Sequence, residues 1–223
     1  MPYKAIRKNP SAPQVAPAIL AALQDIPVAA LSDNLHRNIG SVGLQPYHRP
    51  GRKTMAGTAV TVKTRGGDNL TPMRAFEFCR PGDVLVIDAG GDVTNAVIGG
   101  ILSFYTATIG TAGLVLDGAI RDVAEIRERD YPVYARGVNH RGPYKDGPGE
   151  INVPVSVGGM VVNPGDIVVG DQDGLLAFSP DEAELLIEKA RAHLETEART
   201  IQAMKEGRWD RSFLDALEAR CAN

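Results

Sequence analysis

The sequence is poor in cysteine. Only Cys79 and Cys221 occur, and their spacing fits neither a metal knuckle nor a disulfide framework. Two reduced thiols in a cytoplasmic protein are expected. An excess of basic charge is also lacking. The 24 Lys and Arg residues stand against 27 Asp and Glu, a formal charge of -3. Without a basic stripe, nucleic acid is not an expected partner. No apolar run is long enough to span a bilayer. The opening Met1-Pro2-Tyr3-Lys4 is not followed by the apolar core of a signal peptide, so no membrane partner is expected either. The glycines near position 90 lack the G-x-G-x-x-G spacing of a dinucleotide site. The histidines at 36, 48, 140 and 193 are scattered, with neither metal-ligand spacing nor a Ser-His-Asp order. No lysine marks the end of a buried strand, so a Schiff-base nucleophile is not evident.

What is present is an ordinary globular composition, 43% hydrophobic over 223 residues. That suits a single domain, with an N-terminal helical arm (1–40) and a C-terminal helical extension (180–223). The chain is organised around Val84 to Glu125. The apolar run Val84-Leu85-Val86-Ile87 ends at Asp88 and Gly90-Gly91. A helix is expected from about Asn95, with Gly99 and Gly100 in its early turns. A second apolar run, Leu114-Val115-Leu116, ends in Asp117-Gly118 and then Arg121-Asp122. This reads as a β-α-β unit, and ligands sit off the carboxyl ends of such strands.

Other helices are expected at 13–23 (Ser11 as cap, Pro13 in the first turn), 28–38, 72–78, 122–129, from 180 to about 207, and 211–219. Strands are expected at 58–62 and 133–135. A β-rich run follows at 153–157, 159–162, 167–170 and 175–178, as a meander or barrel-like sheet. Residues 136–150 form a long Gly- and Pro-rich loop, a length that is often functional; it could cover the pocket or reach a neighbouring subunit. Asp68 or Asn69 is read as a helix cap. The Asp171-x-Asp173-Gly174 turn has only part of a calcium-loop pattern and reads as a turn.

Two constellations carry chemistry. The backbone of Gly99-Gly100-Ile101-Leu102 can hold a carboxylate or phosphate at a helix start; alternatively, its glycines only permit tight packing. Asp122 and Glu125, three residues apart, can face one side of a first helical turn. Two carboxylates suit a hard ion such as magnesium, with Arg121 offering a planar fork to a substrate carboxylate. The plainer alternative is helix capping by Asp122 and a surface ion pair.

From Leu31 to Ala183 the chain resembles the RraA-like family, which includes 4-hydroxy-4-methyl-2-oxoglutarate/4-carboxy-4-hydroxy-2-oxoadipate aldolases. The resemblance is carried by Gly67-Asp68-Asn69-Leu70, by Arg80-Pro81-Gly82-Asp83-Val84-Leu85-Val86, and by Asn95-Ala96 to Gly99. It continues through Val115-Leu116-Asp117-Gly118-Ala119-Ile120-Arg121-Asp122, Asn163-Pro164-Gly165-Asp166 and Asp171-x-Asp173-Gly174. The family pattern of Gly or Asp, twenty residues, Arg-Asp, two residues and Glu or Asp reads here as Gly100, Arg121-Asp122 and Glu125.

The resemblance implies a layered α/β sandwich with a central β-barrel-like core, of the swivelling-domain type, assembled as a homotrimer or homohexamer. It implies a metal-dependent lyase that releases pyruvate from a 2-oxo acid by retro-aldol cleavage, oxaloacetate decarboxylation, or both. Asp122 would ligate Mg2+ or Mn2+, supported by Glu125. Arg121 would bind the pyruvate-like end, and the backbone of Gly99 to Leu102 the carboxylate. Gly100 departs from the aldolases, which carry Asp there, and this keeps decarboxylation open beside the aldol reaction. A neighbouring subunit's glutamate, Glu195 or Glu197, would complete the site. The other reading the resemblance allows is a non-catalytic regulator that binds a ribonuclease; Glu125, which regulators tend to lack, favours the enzyme.

Overall fold

The computed structural model describes residues 6–35, 40–51 and 53–221. His36 and the end of the helix expected at 28–38 lie outside the described residues. The strands in chain order are β1 (Ile6–Lys8), β2 (Gln45–Pro46), β3 (Met55–Thr64), β4 (Asp83–Asp88), β5 (Ala96–Ile98), β6 (Gly113–Ile120), β7 (Val133–Val138), β8 (Gly149–Ile151), β9 (Val155–Val157), β10 (Met160–Val162), β11 (Ile167–Gly170) and β12 (Leu175–Phe178). The α-helices are α1 (Pro17–Leu23), α2 (Val28–Asp33), α3 (Leu70–Ala75), α4 (Gly100–Thr108), α5 (Val123–Arg127), α6 (Ala183–Lys205) and α7 (Phe213–Cys221).

Val84 to Ile87 is apolar at every position because β4 is buried on both faces. It lies between β3 and β6, parallel to both, and parallel strands of this kind read as continuous apolar runs. Val84 and Val86 pack on one side with Val115, Tyr134 and the β9–β10 hairpin. Leu85 and Ile87 pack on the other with Leu114, Leu116, Ile126 and Ala75. Leu85 and Ile87 are fully buried, each worth about 1.5–3 kcal/mol of transfer free energy. A third cluster joins α1, α2 and the first turns of α6 to β11 and β12.

The fold is mixed α/β. Its ten-stranded sheet runs β1-β8-β3-β4-β6-β7-β2, with β11 and β12 attached through β3 and β5 through β6. Among the described residues these pairings do not close into a barrel; β9 and β10 form a separate two-stranded sheet. No helix among the described residues is long and apolar enough to cross a membrane.

Several boundaries differ from expectation for physical reasons. The first helix starts at Pro17, not Pro13, and Ser11 does not cap it. Residues before Pro17 stay extended, and the buried Val15 amide donates to Thr58 Oγ1 at 3.0 Å. Part of the polar arm forms β1, which pairs in parallel with β8. Asn95 does not open a helix. Ala96-Val97-Ile98 is buried as β5, and the helix begins at Gly100. β6 runs on through Asp117-Gly118 to Ile120. The Asp117 carboxylate does not end the strand because Arg136 pairs with it and the Gly158 amide donates to it at 2.7 Å.

Cys79 and Cys221 are both free thiols. Burial pushes the Cys79 thiol up to about 12, whereas Cys221 is exposed. A half-buried thiol held protonated in this way is inert. Iodoacetamide at pH 8 is therefore expected to alkylate native protein at Cys221 and spare Cys79, read by peptide mass spectrometry. Adducts of equal yield at both positions in folded protein would contradict this.

Candidate functional site

The site forms where β5 meets the end of β6. Ala96 pairs with Ala119 and Ile98 with Ile120, in parallel. The turn leaving β5 and the turn leaving β6 therefore lie side by side, and the Arg121 amide donates to Ile98 O at 3.0 Å. This brings Gly99 and Gly100 against Arg121 and Asp122.

Asp122 takes the left-handed backbone conformation, φ 60°, which Asp tolerates better than most residues. It does not cap its own helix α5. Its Oδ2 instead accepts the Gly100 amide of α4 at 2.9 Å, a carboxylate at the positive end of a neighbouring helix. The Gly100 amide is thus occupied, whereas the first-turn amides of Ile101 and Leu102 have no intrahelical acceptor. Arg121 Nε lies 3.7 Å from Asp122 Oδ2.

Glu125 reaches the same turn and forms an ion pair with Arg129. Arg129 also donates to Gly100 O at 3.2 Å and Ser103 Oγ at 3.3 Å. Both glycines are required by close approach. A Cβ at Gly99 would lie 2.6 Å from Asp122 Oδ2, and one at Gly100 would lie 2.3 Å from Glu125 Oε2. Glycine at both positions therefore leaves room for the carboxylates, which is the tight packing that the sequence allowed for.

Arg121, Asp122, Gly99, Ile101 and Leu102 line a cleft of about 200 Å³. Met73, Val97 and Ile98 supply apolar wall, and Asn69, Pro143 and Lys145 complete the lining. Gly100 and Glu125, expected at the site, are not among the lining residues. Glu195 and Glu197 lie on an exposed stretch of α6, with Glu197 3.1 Å from His193 Nε2. Ser32, Asp33 and Asn34 do not line the cleft; the Asn34 amide group donates to Ala30 O, and Asp33 lies 3.7 Å from His193. Asp171 is structural: its carboxylate accepts the Val28 and Asp173 amides.

Asn69 and Lys145 are the site residues that sequence reasoning misses. Asn69 occupies the N-cap position of α3 but makes no capping bond. Asp68 Oδ1 accepts the Leu70 amide instead, and Asn69 Oδ1 is buried without a partner among the described residues. Lys145 carries no signal of its own beyond its place in the long 136–150 loop. The Gly67-Asp68-Asn69-Leu70 motif and that loop, considered together, would have pointed to both.

Among the described residues no three His, Cys, Asp or Glu side chains come together. A divalent ion here would take one or two carboxylates and complete its shell with water and substrate, which is how magnesium binds. The half-exposed Asp122 carboxylate, with side-chain-free Gly99 against it, fits that mode.

A relative from Halalkalibacterium halodurans, provisionally named 4-hydroxy-4-methyl-2-oxoglutarate aldolase, is 37% identical over 174 residues, covering 77% of this chain and 81% of its own. Streptomyces coelicolor RraAS2, described as an unusual member of the RNase ES inhibitor RraA family, superposes with a TM-score of 0.75 at 27% identity, covering 84% of this chain and 97% of its own. The RNA-processing inhibitor RraA of Thermus thermophilus gives a TM-score of 0.61 at 33% identity, covering 69% of this chain and 92% of its own. The RraA-like (Aldolase/RraA) family model matches residues 28–177. The motifs, the fold and these matches agree, and the chain belongs to the RraA-like family.

Proposed function

We propose that the protein is a divalent-metal-dependent carbon–carbon lyase that releases pyruvate from a 2-oxo acid. The observation that carries this reading is the meeting of Arg121, Asp122 and the start of α4 in one cleft, with Asp122 fixed by the Gly100 amide. Retro-aldol cleavage and β-decarboxylation both leave electrons on a pyruvate enolate. Asp122 would hold Mg2+ or Mn2+, with Glu125 alongside, and a bound ion supplies Lewis-acid stabilisation of that charge. The planar guanidinium of Arg121 binds the 2-oxo acid end. The amides of Ile101 and Leu102 take its carboxylate and orient the scissile bond. Val97, Ile98 and Leu102 keep that end of the cleft apolar, which strengthens each of these contacts. Ile101, which lines the cleft, and Phe104 on the same helix are strongly exposed, which supports a trimer or hexamer whose adjoining copy packs on α4.

The test follows pyruvate through a lactate dehydrogenase couple. The substrates are oxaloacetate and 4-hydroxy-4-methyl-2-oxoglutarate, each with magnesium and with EDTA, beside a no-enzyme control. Metal-dependent pyruvate release above that control is expected, and the ratio of the two rates names the better substrate. The RraA names of two structural relatives support a second reading, a regulator that binds a ribonuclease. No pyruvate from either acid, together with inhibition of a ribonuclease, would favour it.

A further inference from the structure

The two carboxylates of the charged turn have different surroundings. Asp122 lines the cleft, whereas Glu125 does not. Asp122 Oδ2 accepts the Gly100 amide at 2.9 Å. Glu125 lies against the same glycine, with its Oε2 in the space that a Cβ there would take. Its Oε1 is committed to Arg129, four residues on.

Arg129 is tied down from several directions. Its guanidinium also donates to Gly100 O at 3.2 Å and to Ser103 Oγ at 3.3 Å. Ser103 is buried, and its hydroxyl donates in turn to Gly100 O at 3.0 Å. The guanidinium carbon lies 5.1 Å from the centre of the Phe104 ring, within cation–π range. The Arg129 side chain is 24% exposed against 54% for Glu125, so the arginine is the fixed partner and the glutamate the movable one. A planar fork that is already ordered gives up little further freedom in holding a carboxylate. Like charges close together in one helical turn repel. Arg121 lies beside Asp122 and Arg129 beside Glu125, so the four charges of the turn sum to zero.

We propose that Arg129 is a positioning residue that holds Glu125 out of the cleft, so that Asp122 stays the one carboxylate of the described residues offered to a divalent ion there. An ion held by one carboxylate keeps more of its coordination positions for water and substrate. Arg129 does not line the cleft and acts through Glu125. This rests on the metal-dependent reading given above.

The test measures Mn2+ binding by calorimetry, without substrate. The proteins are wild type, Arg129→Met, Arg129→Lys, Glu125→Gln and the double variant Arg129→Met with Glu125→Gln. Methionine keeps a long side chain and removes the charge; Arg129→Gln takes its place if the methionine variant does not fold. Arg129→Met is expected to bind Mn2+ at least about fivefold more tightly, the scale of freeing one carboxylate from a partly exposed ion pair. Lysine keeps an ion pair to a glutamate four residues before it, so Arg129→Lys should stay within about twofold of wild type. A purely structural role for the guanidinium, which lysine cannot fill, would not give that rescue. Loss of a positive charge also favours the ion at a distance, but that effect is independent of Glu125, and a double-mutant cycle separates the two. Glu125→Gln should weaken Mn2+ binding at least about threefold more in the Arg129→Met background than in wild type. Equal weakening in both backgrounds, no tightening in Arg129→Met, or lysine tightening as methionine does overturns the proposal and leaves the metal-dependent reading standing. Failure of wild type to bind Mn2+ removes that reading, and the proposal with it.

Discussion

Asp122→Ala is expected to lower pyruvate release at least about a thousandfold, because it removes the one carboxylate that lines the cleft among the described residues. A thousandfold corresponds to about 4 kcal/mol of lost transition-state stabilisation, within the several kcal/mol expected of a metal acting as Lewis acid. A second loss accompanies the first, since the Gly100 amide gives up its acceptor at 2.9 Å. Alanine also fits poorly at φ 60°, at a cost of about 1–2 kcal/mol. Asp122→Gly separates the backbone strain from the loss of the carboxylate, since glycine adopts that conformation without strain. The glycine variant should unfold at a higher temperature than the alanine variant and be as inactive. Pyruvate release within tenfold of wild type from the folded glycine variant would remove Asp122 from the mechanism.

The β-α-β core was legible because burial on both faces leaves an unbroken apolar run, as in Val84 to Ile87. The charged turn at Arg121-Asp122 was legible as a turn because its charges directly follow the apolar end of the strand at Ile120. β5 was hidden. Ala96-Val97-Ile98 is too short to show a period, and it becomes a strand only by pairing with the end of β6. The full length of β6 was hidden for a related reason: Asp117 reads as a strand end until Arg136 and the Gly158 amide satisfy it. The target of the Asp122 carboxylate could not be read from local sequence either. An Asp before a helix suggests a cap for that helix, whereas the left-handed backbone turns this one toward α4. The wall formed by Asn69 and Lys145 depends on contacts between residues 76 apart in the chain, a relation that no local pattern records.

Asp68→Ala is expected to destabilise the protein by about 3 kcal/mol or more. The buried carboxylate accepts the amides of Leu70, Asp146 and Gly147, and each unpaired buried donor costs about 1–3 kcal/mol, less where water enters the space left behind. In a chain of this size 3 kcal/mol lowers the melting temperature by roughly 6–12 °C, readable by circular dichroism. Arg65 provides the control. It contacts the same carboxylate at 3.3 Å, but its side chain is 48% exposed. Arg65→Ala should therefore cost less than about 1 kcal/mol, as exposed ion pairs do. Similar losses from the two variants would mean that charge neutralisation, and not the amide contacts, is what Asp68 contributes.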